Sequence, residues 1–163
     1  MRRTVTVAVV AVVQLVLVGV AVAPRLSAYA RGEEYQLRVA PVDPIDPFRG
    51  AYVDLTYPDL QPARRPGAPT RVEPGSGPTY VPLVKDGDVW VAASYETERP
   101  ATGPYLACDS DGFSLPCGIE SWFTGQDEAQ RLQREVDEDG AVATVRIDDR
   151  GHAVIVGLDP APR

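Results

Sequence analysis

Residues 4–23, TVTVAVVAVVQLVLVGVAVA, contain no charged side chain, and only Thr4, Thr6, Gln14 and Gly19 interrupt the apolar run. As a helix, about 20 such residues match a hydrocarbon core roughly 30 Å thick, because each residue rises ~1.5 Å. A buried helix of a soluble domain is the weaker assignment, since valine-rich runs are poor helix formers unless lipid or a core surrounds them. The rival is a cleavable signal peptide with Arg2 and Arg3 as its charged start, but such peptides carry apolar regions of only about 7–15 residues. Ala21-Val22-Ala23 has the form of a cleavage site, yet Pro24 follows and obstructs processing. Ala28-Tyr29-Ala30 is a second such site, rather far from the apolar run. Length therefore favours a retained transmembrane signal-anchor at 4–23. Residues 1–3 are then a cytoplasmic tail, 24–34 a polar tether, and 35–160 the domain it carries.

Arg2 and Arg3 precede the span while Arg25 and Arg31 follow it, so the positive-inside bias is small. A short N-terminal tail ordinarily stays inside, which places the domain outside the cytoplasm on a single-pass protein of the cell membrane. Cysteine usage agrees: Cys108 and Cys117 are the only two, an even pair closing a short loop, as expected of one disulfide in an oxidising compartment. No cysteine follows the apolar run, which excludes a lipoprotein anchor. All 23 acidic residues lie beyond the span against 14 of the 16 basic ones, giving that part a net charge of −9. Nucleic acid and anionic headgroups are disfavoured partners, because both require a positive footprint.

Beyond the anchor, the patterning is that of short strands. Tyr35, Leu37 and Val39 alternate on one face of a first strand. Three prolines in APVDPIDPF make an extended connector, and residues 51–57 form a second strand with Ala51, Val53, Leu55 and Tyr57 on one face. Residues 58–78 contain six prolines and three glycines and read as a surface loop too poor in apolar groups to build a core. Two β-rich runs around Asp86-Gly87 (79–96) are the strongest hairpin signal, with Pro82 marking the first as an edge strand or a bulge. PYLAC (104–108) is a further strand, turned by DSDG. Thr124 and Asp127 cap a short helix carrying Ala129, Leu132 and Val136 on one stripe and stopped by Gly140. The last hairpin, 141–158, turns at Asp149-Arg150-Gly151. The sum is an α+β fold, mainly antiparallel β, with one short helix packed on the sheet and an N-terminal transmembrane helix in front.

Residue types that carry catalysis are sparse. His152 is the one histidine, so neither a multi-histidine metal site nor a confirmed Ser-His-Asp triad is available, and G-x-S-x-G is absent. A signal-peptidase-like Ser/Lys pair is disfavoured because Lys85, the one lysine, sits at a hairpin tip, where burial cannot lower its pKa. CDSDG begins like a calcium loop but lacks the remaining ligands, and reads as an Asp-Gly turn. The acidic pairs Glu96/Glu98 and Asp148/Asp149 fall at strand ends or turns, where solvated carboxylates are expected. No cofactor is indicated.

RGAYVDLTY (49–57) resembles the signature of the GDYXXLXY family, membrane-anchored bacterial proteins of unknown function named after that motif. Gly50, Tyr52, Leu55 and Tyr57 match, while Ala51 replaces the motif's aspartate. PVDPIDPFRG, YVPLVKDGDVWVAASYETERP, GIESWF (118–123) and VRIDDRGHAVIVGL are similar to the same family, so the likeness covers residues 37–158. No activity comes with it. Family members tend to be encoded beside multi-spanning membrane proteins, which implies an integral membrane partner. The lost aspartate speaks against a shared catalytic acid, and Cys117 stands where relatives often carry an aromatic residue. Leu55 and Tyr57 share a face with Val53 and read as core, and Gly50 permits a turn. Arg49, Tyr52 and Glu120 remain for binding or for a structural ion pair. The reading is a non-enzymatic accessory or binding module for a membrane protein partner. The alternative is a cell-envelope hydrolase using carboxylate and tyrosine chemistry.

Overall fold

The apolar run forms helix α1, Arg2–Arg31, with its backbone groups bonded internally, in a computed structural model that describes residues 2–41, 52–60, 76–111, 114–123 and 140–160. α1 is long and apolar enough to cross a membrane, and every side chain from residue 3 to 23 is exposed.

The stretch 24–34, read from sequence as a tether, is helical through Arg31 and extended from Glu33. Tertiary contacts account for the difference. The last turns of α1 lie against β7 (Ala141–Ile147) and β8 (Ala153–Pro160), and Ala28 is fully buried there. The Gly32 amide closes a helical bond on the Ala28 carbonyl at 2.9 Å. Arg146 of β7 donates through Nη1 to the Tyr29 carbonyl at 2.7 Å and pairs through Nη2 with Glu34 at 3.1 Å. A cation on the last carbonyls of a helix is favoured by the helix dipole, and the same guanidinium lies 5.9 Å from the Tyr29 ring centroid. Gly32 permits the close approach, since a Cβ there would collide with the Ala28 carbonyl and lie 2.9 Å from the Ile147 nitrogen.

β1 (Glu33–Pro41), β2 (Tyr52–Thr56), β6 (Ser121–Phe123), β7 and β8 form one sheet in the order β6-β2-β1-β7-β8. β3 (Gly77–Asp86), β4 (Val89–Ala92) and β5 (Tyr105–Ser110) form a second in the order β4-β3-β5. All described pairings are antiparallel. The period-2 reading of the first strand holds: Leu37 and Val39 are buried while Gln36 and Arg38 face solvent. Leu37, Val39, Ala143 and Val145 of the larger sheet share one core with Val81, Leu83 and Leu106 of the smaller. Tyr35 meets Trp90 edge-on at 5.0 Å between ring centroids.

The β3–β4 hairpin turns on Gly87-Asp88, with Gly87 at φ 64°. Pro82 lies on the central strand of its sheet, so it marks the bulge and not an edge. Leu83 faces Ala92 and Tyr80 faces Glu96, leaving one extra residue on the partner side where the proline offers no N–H. Both ends of the stretch 58–78, read from sequence as a loop, belong to regular elements, and residues 61–75 lie outside the described residues. Pro58–Leu60 is a 3-10 turn that buries Leu60 in the core, and Gly77 and Pro78 already belong to β3. The helix expected after Thr124 lies outside the described residues.

Candidate functional site

Two segments far apart in sequence, the motif strand and Gly-Ile-Glu-Ser-Trp-Phe, are neighbours in the sheet. Tyr52 faces Phe123, Val53 faces Trp122 and Asp54 faces Ser121 across β2 and β6. The Leu55 amide then donates to the Glu120 carbonyl at 2.7 Å, and the buried Tyr57 hydroxyl donates to the Ile119 carbonyl at 2.8 Å. Leu55, Tyr57 and Ile119 are core residues. Gly118, at φ 83°, makes the tight turn before them. The Glu120 carboxylate folds back over that turn, accepting from the Cys117 amide and from the Gly118 amide at 3.0 and 3.1 Å.

The same turn is tied to the other sheet. Cys117 is disulfide-bonded to Cys108 of β5, and the Asp109 amide donates to the Pro116 carbonyl at 3.0 Å. Residues 114–120 therefore strap the two sheets together, held on one side by the motif's leucine and tyrosine and on the other by the disulfide. Burial, reinforced by the charge of Glu120, pushes the Tyr57 phenol well above its ordinary pKa. It is a permanent hydrogen-bond donor and not a base. The nine-residue separation of the cysteines limits the loop-closure stabilisation to about 2.5 kcal/mol. Replacing both cysteines with alanine should lower the melting temperature by several degrees without unfolding the domain at 25 °C. Melting curves identical to the wild type under non-reducing conditions would refute the strap.

Of the residues expected to bind or to pair, Arg49 lies outside the described residues. Tyr52 occupies β2 opposite Phe123, three residues along β6 from Glu120 and thus roughly 10 Å away along the strands. Glu120 is held by backbone amides, so it shapes the turn. Beside the turn expected at DSDG, Asp111 accepts from the Ser114 amide at 2.6 Å and from the Ser114 hydroxyl at 2.9 Å, while residues 112 and 113 lie outside the described residues. No group of three or more His, Cys, Asp or Glu side chains with metal-holding geometry occurs among the described residues.

One cluster leaves no pattern in the sequence, and it corrects the expectation that Asp148 is solvated. Its side chain is 1% exposed and accepts from the Arg150 and His152 amides at 2.9 Å each, while His152 Nδ1 lies 3.0 Å from Oδ2. Ser27 of α1 bonds the same carboxylate. Serine, histidine and aspartate are therefore together, but with the aspartate at the centre. Ser27 and His152 both address Asp148, which is not the nucleophile–base–orienter order that nucleophilic catalysis requires. The cluster fixes the β7–β8 turn and docks α1 on it. The carbonyl of Gly151, a residue at φ 80°, accepts from the Ala107 amide at 2.9 Å, and the Asp149 carbonyl accepts from the Tyr105 hydroxyl at 3.0 Å, so the turn also joins β5.

Burial raises the Asp148 pKa, but the bonds from Ser27, His152 and the two amides outweigh it and hold the carboxyl below its ordinary value. A depressed folded pKa contributes stability that is present above the unfolded value, about 4, and is lost as pH falls through the folded value. The stability gap between wild type and Asp148→Asn should thus be present above about pH 4 and narrow as pH falls below that. Thermal melts across that range check it, and a gap that widens in acid would contradict it.

Two small antiparallel sheets, strapped together by residues 114–120 against the motif strand and continuous with an apolar helix, define the class of this molecule. The chain belongs to the GDYXXLXY family, whose model, described as GDYXXLXY protein, matches residues 14–158. No curated protein and no solved structure matches it.

Proposed function

We infer that the chain is a non-enzymatic accessory module, retained in the cell membrane by a signal-anchor with its β domain outside the cytoplasm, where it binds or supports an integral membrane protein. The observation that carries this reading is the joint at residues 27–34. Ser27, Ala28, Tyr29 and Glu34 are bonded or buried against Asp148, Arg146 and the end of β7. A domain locked to its helix is held at a fixed attitude to the bilayer, which suits contact with a partner in the same membrane and is superfluous for a tethered enzyme acting on diffusing substrates. The disulfide is in keeping with an oxidising compartment. Chemical groups that hydrolysis would use are committed elsewhere: the Tyr57 hydroxyl to a backbone carbonyl, the Glu120 carboxylate to amides, and Asp148 to the joint. Arg49 and Tyr52 are the motif positions proposed to face the partner, with Glu120 setting the shape of the neighbouring turn.

The test compares the full chain with a variant carrying a flexible Gly-Ser insertion between Arg31 and Gly32. Pull-downs from solubilised membranes should recover one integral membrane protein in stoichiometric amount with the wild type and much less with the insertion. Intact mass of the recovered chain should show residues 1–31 retained. Equal recovery with both forms, or a chain beginning at Pro24 or Arg31, would overturn the reading.

A further inference from the structure

Gln14 is the one residue of the span 4–23 with a side chain too polar for hydrocarbon and too short to reach the interface. It lies midway between Arg3 and Arg25, the charges that bracket the apolar run, eleven residues from each. At ~1.5 Å per residue both interfaces are about 16 Å away, so the carboxamide cannot reach water. Threonine hydroxyls in such helices bond to carbonyls of their own preceding turn, which accommodates Thr4 and Thr6. A glutamine amide, with two donor hydrogens and a carbonyl acceptor, is not satisfied that way. The Gln14 side chain is exposed on α1, and no described residue of this chain hydrogen-bonds it. Polar side chains left unpaired in hydrocarbon are costly, and membrane helices relieve the cost by pairing.

We propose that α1 associates in the bilayer with α1 of a second copy of this chain, in parallel, through a reciprocal Gln14–Gln14 carboxamide pair. Two copies inserted in the same orientation place their Gln14 side chains at one depth without further adjustment. The amide is self-complementary, each carbonyl accepting from the other's NH2. Because the run is apolar on every side, Gln14 alone selects the contact face. Helical periodicity puts Val7, Val10, Leu17 and Ala21 on that face, spaced as in a left-handed helix pair with a polar residue fixing register. Val12 and Val16 point away. The pairing goes beyond the accessory role and does not depend on what the β domain binds.

The chain is suited to a direct test, because its two cysteines are disulfide-bonded and none is free. In membranes holding the full-length protein, Val10→Cys and Leu17→Cys variants should form disulfide-linked dimers on mild oxidation, while Val12→Cys and Val16→Cys should not. Fluorescence energy transfer between labelled full-length chains in lipid vesicles should show self-association that Gln14→Leu weakens about tenfold, the effect of one interhelical hydrogen-bonded pair. Monomeric wild type, crosslinking of equal efficiency at all four positions, or unchanged association of Gln14→Leu would each overturn the proposal. The vesicles contain no other protein, so failure of the membrane-partner reading leaves these outcomes unaffected.

Discussion

Leu55→Ala is expected to destabilise the β domain by about 2–5 kcal/mol, the range for emptying a leucine site in a packed core. Leu55 is 3% exposed and belongs to the same core cluster as Tyr57, Leu60 and Ile119. Its amide still donates to the Glu120 carbonyl after the substitution, so the loss measures packing and not the strap's hydrogen bond. Tyr57→Phe isolates the other term. It keeps the ring and leaves the Ile119 carbonyl without its donor, at a cost of about 1–3 kcal/mol. Val84, exposed on β3, serves as control, and Val84→Ala should stay within about 0.5 kcal/mol of wild type. Denaturant melts of the three variants rank them. A Leu55→Ala loss below about 1 kcal/mol would mean that the motif's leucine is not a packing residue.

This ordering answers what the signature does in the fold. Its leucine and tyrosine hold the Gly-Ile-Glu turn; that they are core residues is readable from alternation, which puts Ala51, Val53, Leu55 and Tyr57 on one face. The partner of that face was not readable. Ile119 lies 62 residues from Tyr57, and the bond joining them involves a backbone carbonyl, which leaves no trace in side-chain pattern. The three-residue strand β6 was missed for a related reason. Ser121–Phe123 is too short for periodicity to register, and it is a strand because β2 offers an unpaired edge.

Local turn chemistry carried most of what could be read. Asp-Gly at 86–87 and Asp-Arg-Gly at 149–151 mark hairpins that formed, because glycine at positive φ fixes such turns without help from distant residues. Asp148 shows where local pattern stops being informative. As one of two adjacent carboxylates at a turn it looked solvated, yet Ser27, contributed from 121 residues earlier, closes over it. The PDL turn misled in the same way: Leu60 sits in a proline-rich segment, but Tyr95 donates to its carbonyl at 3.0 Å and the side chain enters the core.

The largest departure from the sequence reading was the joint between helix and sheet, and Gly32→Val tests it. The valine Cβ would occupy the space of the Ala28 carbonyl and lie 2.9 Å from the Ile147 nitrogen, both backbone atoms that cannot rotate away. Branching at Cβ adds two further methyl groups, so the expected cost is about 3 kcal/mol or more if the joint stays closed. The chain has a cheaper escape, which is to undock residues 24–31 and release the Arg146 contacts to Tyr29 and Glu34. Undocking caps the loss at the stability of the joint itself. The variant should therefore show fast amide exchange at residues 28–34 and 145–148 while β3, β4 and β5 remain protected. Arg146→Ala opens the same joint from the sheet side, removing the Nη1 bond to the Tyr29 carbonyl and the pair with Glu34. Because both substitutions release one contact, the double variant should be little worse than Gly32→Val alone. Additive losses, or native protection of residues 28–34 in Gly32→Val, would show that the helix end is not part of the domain, and the fixed attitude inferred for it would fall with that result.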